Sequence, residues 1–132
     1  MSESKAVVNY SWNNIEELIH SIRREVSVYK PTHIVGVARG GLIPAVMLSH
    51  MLNIPMETLG ISFRDNKVTH HTKFKPIKKA KYLIVDDIND SGTTFKVISD
   101  VFRDKRLDFK TAAIINKKSS HFSVDFFGEM FY

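Results

Sequence analysis

Short apolar runs and amphipathic segments alternate along the chain. Continuous apolar stretches, which are typical of buried strands, cover residues 33–38, 56–63, 81–85, 109–115 and 122–127. Between them, the pattern predicts a helix that starts at Ser11 and ends before Pro31, and two further helices over residues 42–52 and 92–104. Strands that alternate with helices favour an α/β fold, a parallel sheet flanked by helices, in a single domain spanning residues 1–132.

Two polar loops follow predicted strands. Arg39-Gly40-Gly41 comes after the first strand, and residues 86–94 come after the strand that ends at Val85. Ligands of parallel sheets bind beyond the carboxyl ends of the strands, so both loops are candidate binding sites. Asp86 and Asp87 can accept hydrogen bonds from sugar hydroxyls, and N–H groups at the next helix start can cradle a phosphate. A phosphorylated sugar would satisfy both chemistries.

Residues 64–80 have no clear period and are predicted to form a long loop with some hairpin character. Long loops in compact domains are often functional lids, and the lysine-rich stretch 73–81 could close over an anionic ligand. The alternative is a solvated loop that aids solubility. His70 and His71 suggest a metal pair, but no acidic or cysteine residue stands at ligand spacing, so no metal is expected there.

Charge and composition limit the kinds of partner that the chain is expected to bind. A net charge of +5 suits nucleic acid or a polyanionic small molecule, but no helix-turn-helix or similar reading motif is evident, so a nucleic-acid partner is not expected. The absence of cysteine excludes disulfides and thiolate chemistry. No apolar run approaches the ~18 residues of a membrane span, and residues 1–6 lack a signal-peptide core. We therefore expect no membrane partner and a cytoplasmic location.

The stretch from Asp86 to Thr94, behind the apolar run 82–85, resembles the signature of type I phosphoribosyltransferases for 5-phosphoribosyl-1-pyrophosphate (PRPP). That signature is two acids, two variable residues, an acid, serine or threonine, glycine, any residue and threonine. Residues 37–45 and 10–12 resemble the bacterial xanthine–guanine and hypoxanthine branch of this family. The resemblance covers nearly the whole chain, and it implies the family's parallel sheet with a reduced hood.

The resemblance implies a role for each loop. Asp86 and Asp87 would hold the ribose 2- and 3-hydroxyls, with Asp87 also near Mg²⁺. Asp90 would act as general acid/base beside N7 of the base. The 5-phosphate would be wrapped by Ser91, Gly92, Thr93 and Thr94. Pyrophosphate would be bound at the turn formed by Ala38, Arg39, Gly40 and Gly41, often through a non-proline cis peptide. The alternative for this turn is an ordinary strand-to-helix connection.

A purine subsite is also implied by the resemblance. Lys117 would read the 6-oxygen of the purine, Phe131 would stack on the ring, and Tyr132 would offer its backbone to the 2-position. The alternatives are one more surface lysine at position 117 and a core side chain at position 131. Trp12 is expected to be core. A basic residue over pyrophosphate is expected among three candidates, Arg64, Lys67 and Lys73.

The expected function is the Mg²⁺-dependent transfer of the phosphoribosyl group from PRPP to xanthine, guanine or hypoxanthine. The products would be a nucleoside monophosphate and pyrophosphate, as in purine salvage, and the resemblance implies a homodimer or homotetramer. One alternative is a non-catalytic PRPP- or nucleotide-binding regulator with a basic nucleic-acid surface. Another is a phosphoribosyltransferase with an unusual acceptor. Asp90 and Lys117 favour the enzyme.

Overall fold

The structure is a computed structural model that describes residues 10–64, 67–70 and 74–132, including all their side chains except those of 62–64 and 67–70. The helices are α1 (Trp12–Tyr29), α2 (Leu42–Leu52) and α3 (Thr93–Asp104). The strands are β1 (His33–Ala38), β2 (Met56–Arg64), β3 (Lys67–His70), β4 (Lys81–Asn89), β5 (Asp108–Lys117) and β6 (Phe126–Phe131).

In the described part of the chain, the strands form one sheet in the order β3-β2-β1-β4-β5-β6. All neighbouring pairs are parallel except β2 and β3, which form an antiparallel hairpin at one edge. The predicted α/β fold with a parallel sheet is therefore confirmed, and β3 gives the segment after residue 64 its hairpin character. Because β1 and β4 are central neighbours, the polar loops that follow them come together at one end of the sheet.

Apolar side chains cover both faces of the sheet. On one face, α3 packs through Phe95, Ile98 and Phe102 against a cluster that includes the fully buried Tyr82. On the other face, α1 and α2 pack against a second cluster built by Leu83 and its neighbours. Because both faces are covered, the central strands are nearly continuous apolar runs, as expected for parallel strands.

Helix α1 begins where it was predicted to begin, but its buried residues start further along the helix than expected. The Ser11 hydroxyl accepts a hydrogen bond from the backbone N–H of Asn14, and the Asn14 side chain accepts one from the backbone N–H of Ser11 in return. Trp12, expected in the core, is 58% exposed. It is the first helical residue and lies nearly two turns before Ile19, where the fully buried face of the helix begins.

Several strand boundaries differ from the predicted ones, most of all those of β4 and β6. β4 continues to Asn89 rather than ending at Val85, because its backbone keeps pairing with β5 beyond the apolar run. The last strand is Phe126–Phe131 rather than 122–127. The chain before it is a loop in which the Asp125 carboxylate accepts a hydrogen bond from the backbone N–H of Thr111. None of the helices described is long and apolar enough to cross a membrane.

Candidate active site

The turn after β1 fits against the acidic end of β4. A Cβ on Gly40 would lie 2.6 Å from Oδ1 of Asp87, so the carboxylate occupies the space that a side chain at position 40 would need. A Cβ on Gly41 would overlap the carbonyl oxygen of Val85 and approach the Val37 carbonyl oxygen to 2.8 Å. The two glycines therefore allow the turn to pack directly on β1 and β4, which only a residue without a side chain permits here.

Main-chain hydrogen bonds fix the turn. The N–H of Gly41 donates to the carbonyl of Val37 at 2.8 Å, and the N–H of Leu42 donates to the carbonyl of Arg39 at 3.2 Å. The Ala38–Arg39 peptide bond is cis, as the family resemblance implied. Arg39 is exposed at the rim of the site. The structure thus brings Ala38, Arg39, Gly40 and Gly41 together beside the paired carboxylates.

Asp86 and Asp87 lie on the last, partly exposed part of β4. The N–H of Asp87 donates to Oδ1 of Asp86, and the N–H of Ile88 donates to Oδ1 of Asp87, both at 2.8 Å. Burial raises the pKa of Asp86 to about 7, and a hydrogen bond with the Asp87 carboxyl and its charge add to the rise, while the Asp87 N–H opposes it. Asp86 can therefore hold a proton near neutral pH.

The loop after Asp90 carries hydroxyl groups and leads into α3. Gly92 has a φ of 94°, a conformation in which glycine is favoured, and it immediately precedes the helix. The hydroxyls of Ser91 and Thr93 are 3.0 Å apart, and the N–H of Thr93 donates to Oγ of Ser91 at 3.3 Å. Thr94 lines a small pocket together with Ser91 and Gly92. The N-terminus of α3 has no side-chain cap, so N–H groups of its first turn can receive an anion.

Asp90 lines this pocket and forms an ion pair with Lys117, the last residue of β5. The Lys117 ammonium lies 2.9 Å from Oδ1 of Asp90, and their side chains are 38% and 73% exposed. Ile88, which sequence reasoning passed over as a variable position, is 43% exposed and lines the pocket with Asp90. The sequence feature that could have identified Ile88 is its place directly after the two site carboxylates, at the end of a strand. The pocket thus has an acid and an apolar wall, and the ammonium group of Lys117 lies beside the acid.

Phe131 and Tyr132 lie next to Lys117 but are placed differently. Phe131 is the β6 residue in register with Lys117, and it is partly buried against the apolar cluster beneath α1 and α2. Tyr132 is 84% exposed, and the Lys118 ammonium lies 5.0 Å from the centre of its ring. The contacts of Phe131 agree with the core alternative, while its stacking role and the backbone role of Tyr132 stay predictions.

The basic loop residues are only partly described. Arg64 and Lys67 are paired through their backbones in the β2–β3 hairpin, whereas Lys73 and His71 lie outside the described residues. Which cation covers an anionic ligand therefore stays a prediction. Within the described ranges, no group of three or more histidine, cysteine, aspartate or glutamate side chains could hold a metal ion. A metal at this site would depend on Asp87, with Asp86 beside it, and on ligand atoms from a bound substrate.

Known proteins share this sequence pattern and arrangement. Residues 9–128 match the family described as the phosphoribosyl transferase domain. A purine phosphoribosyltransferase from Pyrococcus horikoshii is similar at 30% sequence identity and a TM-score of 0.88, over 94% of this chain and 87% of that one. A xanthine-guanine-hypoxanthine phosphoribosyltransferase from Helicobacter pylori has the same fold, at 22% identity and a TM-score of 0.84, over 93% and 86% of the two chains. A hypoxanthine-guanine phosphoribosyltransferase from Bacillus anthracis also has this fold, at 17% sequence identity and a TM-score of 0.83, over 96% of this chain and 84% of that one.

Proposed function

The chain belongs to the phosphoribosyltransferase family and is an enzyme of that class, and we propose that it transfers the phosphoribosyl group of PRPP to a 6-oxopurine. The products are a purine nucleoside monophosphate and pyrophosphate. The likeness to the Pyrococcus horikoshii protein, which is a purine phosphoribosyltransferase, supports a purine acceptor. Xanthine, guanine and hypoxanthine are the proposed bases, and they are also the bases named for the Helicobacter pylori protein.

The donor half of the site is the pair of loops after β1 and β4. The 5-phosphate of PRPP lies at the start of α3, where backbone N–H groups and the hydroxyls of residues 91–94 surround it. Asp86 and Asp87 accept hydrogen bonds from the ribose hydroxyls. Pyrophosphate lies on the turn at residues 38–41, which the two glycines allow to pack directly against the Asp87 carboxylate and the central strands.

Mg²⁺ fits this donor site. Magnesium is usually held by one or two carboxylates together with substrate phosphates and water, and a fuller cage of protein ligands is not needed. Asp87 offers a carboxylate directly against Gly40, beside the proposed pyrophosphate position. When bound, Mg²⁺ supplies positive charge that neutralises the leaving pyrophosphate.

The contact between Asp90 and Lys117 is the observation that carries the acceptor assignment. Their charged atoms are 2.9 Å apart beside the exposed face of Ile88, so one flat ring can meet the acid, the cation and the apolar wall together. A lysine ammonium only donates hydrogen bonds, which suits a 6-oxo group and disfavours a 6-amino group. A purine that enters the pocket replaces the ion pair with one contact to each charged group.

The residues then perform three tasks. The two loops hold C1 of the ribose in line between the purine nitrogen and pyrophosphate, which makes the displacement effectively unimolecular. Asp86 and Asp87 place negative charge near a ribose that gains oxocarbenium character as pyrophosphate leaves. Asp90 accepts the proton that the purine loses, a contribution of ~10²–10⁴-fold for a positioned base.

Pyrophosphate release with PRPP, Mg²⁺ and each of xanthine, guanine, hypoxanthine and adenine tests this proposal. We expect release that requires a 6-oxopurine and that falls by at least ~10²-fold in Asp90→Asn. If PRPP stabilises the fold but no purine is consumed, the transferase proposal is wrong for these acceptors. A regulator that binds PRPP, or an enzyme with another acceptor, would then explain the site.

Two adjacent lysines give a matched pair of variants for the acceptor site. Lys117→Met removes the cation beside Asp90, whereas Lys118→Met removes the cation that lies over the exposed ring of Tyr132. We expect kcat/KM for the 6-oxopurine to fall by about 10²-fold in Lys117→Met, since a hydrogen bond to the base is lost. Lys118→Met is expected to stay within about twofold of wild type. Equal losses in both variants would contradict the acceptor role of Lys117.

The oligomer is proposed to be a homodimer or homotetramer. Helix α2 follows the turn at residues 39–41 and leaves two aliphatic side chains exposed, Ile43 at 54% and Val46 at 43%. A face of this kind is suited to contact with a second copy. Light scattering of wild type and Ile43→Lys would test this, with a smaller particle expected for the variant.

A cytoplasmic location, where PRPP and purine bases would meet the enzyme, is also part of this proposal.

A further inference from the structure

Asn89 is a buried polar residue at the carboxyl end of β4, beyond its apolar run. It lies between Ile88 and Asp90 and is only 1% exposed. Its amide group donates to Oδ1 of Asn116 at 2.8 Å and to the carbonyl oxygen of Phe122 at 2.7 Å. Its own Oδ1 accepts a hydrogen bond from the Ser120 hydroxyl at 3.0 Å. Both donors and the acceptor of this side chain are therefore used, although burial of such a group is costly without partners.

These partners belong mainly to the loop between β5 and β6, residues 118–125. The Ser120 hydroxyl also accepts a hydrogen bond from the N–H of Phe122 at 3.1 Å, so the side chain of Asn89 and the backbone of the loop share one network. Asn116 stands directly opposite Asn89 in the pairing of β4 with β5. The network therefore joins β4, β5 and the connecting loop in one place.

The same loop lies against residues 91–94. The N–H of His121 donates to the carbonyl oxygen of Ser91 at 3.0 Å. A Cβ on Gly92 would lie 2.7 Å from Cβ of Phe122, so the two backbones are in close contact. The ring of Phe122 stacks on that of Phe95 in the first turn of α3, with centroids 5.6 Å apart and planes at 12°. A shift of the β5–β6 loop would therefore move the residues proposed to hold the 5-phosphate.

We propose that Asn89 is a positioning residue that holds loop 91–94 in its phosphate-binding geometry through Ser120 and Phe122. The residue does not contact the phosphate itself, and it acts by fixing the loop on which the phosphate site rests. An aliphatic side chain at position 89 would leave the Phe122 carbonyl, the Ser120 hydroxyl and the Asn116 amide without a shared partner. This inference rests on the proposed binding of PRPP at the start of α3.

Asn89→Leu is the first test, because leucine is of similar size and lacks the three hydrogen bonds. We expect the KM for PRPP to rise about tenfold, the KM for the purine to stay within about twofold, and kcat at saturating PRPP to fall less than threefold. A residue that only stabilised the fold would lower the melting temperature without separating the two KM values. Both KM values unchanged, or both raised equally, would overturn the proposal.

Ser120→Ala is the second variant, in case Asn89→Leu does not fold. It removes one hydrogen bond from the network, so a rise of about threefold in the KM for PRPP is expected. Ser99→Ala is the matched control. Ser99 is fully buried, whereas Ser120 is partly buried, and the Ser99 hydroxyl has no hydrogen-bond partner in the described part of the chain. Its loss should leave the KM for PRPP unchanged, and an equal rise in both serine variants would refute the network's role.

Calorimetric titration with PRPP and Mg²⁺, without purine, separates this inference from the proposed function. If wild type binds PRPP and turns over no purine, the proposed transfer fails, and weaker PRPP binding by Asn89→Leu would still support the inference. If wild type turns over and the variant binds PRPP with unchanged affinity, the inference alone fails. If wild type does not bind PRPP, both the proposed transfer reaction and the positioning role of Asn89 are wrong.

Discussion

The two loops of the site lie side by side but differ in how far side chains hold them in place. The turn at residues 39–41 is held by main-chain hydrogen bonds and by close packing at its two glycines, where a side chain would overlap neighbouring atoms. The loop at residues 90–94 also depends on side chains, since the hydroxyl of Ser91 bonds to Thr93 and the amide of Asn89 bonds to the carbonyl of Phe122 in the adjacent β5–β6 loop. We therefore expect the first loop to be disrupted mainly by added atoms, and the second to be disrupted also by the removal of hydroxyl or amide groups.

Gly41→Ala should have the largest effect. The new Cβ would overlap the carbonyl oxygen of Val85 and approach that of Val37 to 2.8 Å. Both carbonyls belong to the central strands β1 and β4, which cannot move apart without loss of sheet pairing. We expect a loss of about 3 kcal/mol or more in the free energy of unfolding, measured by thermal and denaturant melting. A melting temperature close to that of wild type would show that the turn can tolerate added atoms.

Gly40→Ala should separate activity from stability. Its Cβ would meet the carboxylate of Asp87, which is the end of a side chain and can rotate away without disturbing the sheet. The variant should therefore fold, with Asp87 displaced from the ribose and Mg²⁺ position. We expect kcat/KM to fall by about 10²-fold, with a change of less than about 1 kcal/mol in stability. Gly41→Ala is the matched variant, and similar stability losses in both would contradict the distinction between them.

The sequence pattern predicted the first loop more accurately than the second. The apolar run of β1 ends where Arg39 begins, and both β1 and α2 have the predicted bounds. β4 was predicted to end at Val85 because Asp86 and Asp87 interrupt the apolar run. Backbone pairing with β5 does not depend on side-chain polarity, so the strand continues through both carboxylates.

The motif identified the chemistry of the second loop but not its support. It placed Asp86, Asp87 and residues 90–94 in one site, because their spacing alone identifies them. Ile88 and Asn89 occupy variable positions of the motif, and their environments depend on which face of β4 meets the pocket and which meets the core. Lys117 was expected near the base, but its 2.9 Å contact follows from the register between β4 and β5, which sequence spacing does not determine.

Ser91→Ala tests the dependence of the second loop on its side chains. The Ser91 hydroxyl accepts a hydrogen bond from the backbone N–H of Thr93 and also lies within hydrogen-bond distance of the Thr93 hydroxyl. Its removal should loosen the loop and delete one donor to the phosphate, so we expect the KM for PRPP to rise by about tenfold with little change in kcat. Ser119→Ala, at an exposed serine of the neighbouring loop, is the matched control. A similar rise in the control would remove the case for side-chain support at residue 91.

Asp86→Asn should raise the stability of the folded chain while it lowers activity. Asp86 lies beneath the turn and at the head of the second loop, and its pKa is raised from 3.8 to about 7, chiefly by burial. Between these two pH values the folded chain holds a proton that the unfolded chain has released, so the free energy of unfolding falls as the pH rises from about 4 to about 7 and stays lower above that.

Asparagine cannot ionise, so Asp86→Asn should be more stable than wild type at pH 8 by up to about 4 kcal/mol, measured as a higher Tm. At pH 4 the two proteins should melt at nearly the same temperature, because wild type is then protonated at this position. Asp104→Asn, at an exposed residue at the end of α3, should not reproduce this dependence on pH. The same Asp86→Asn variant should lose most of its activity. A variant less stable than wild type at pH 8 would show that the ionised carboxylate is well accommodated between the two loops before substrate binds.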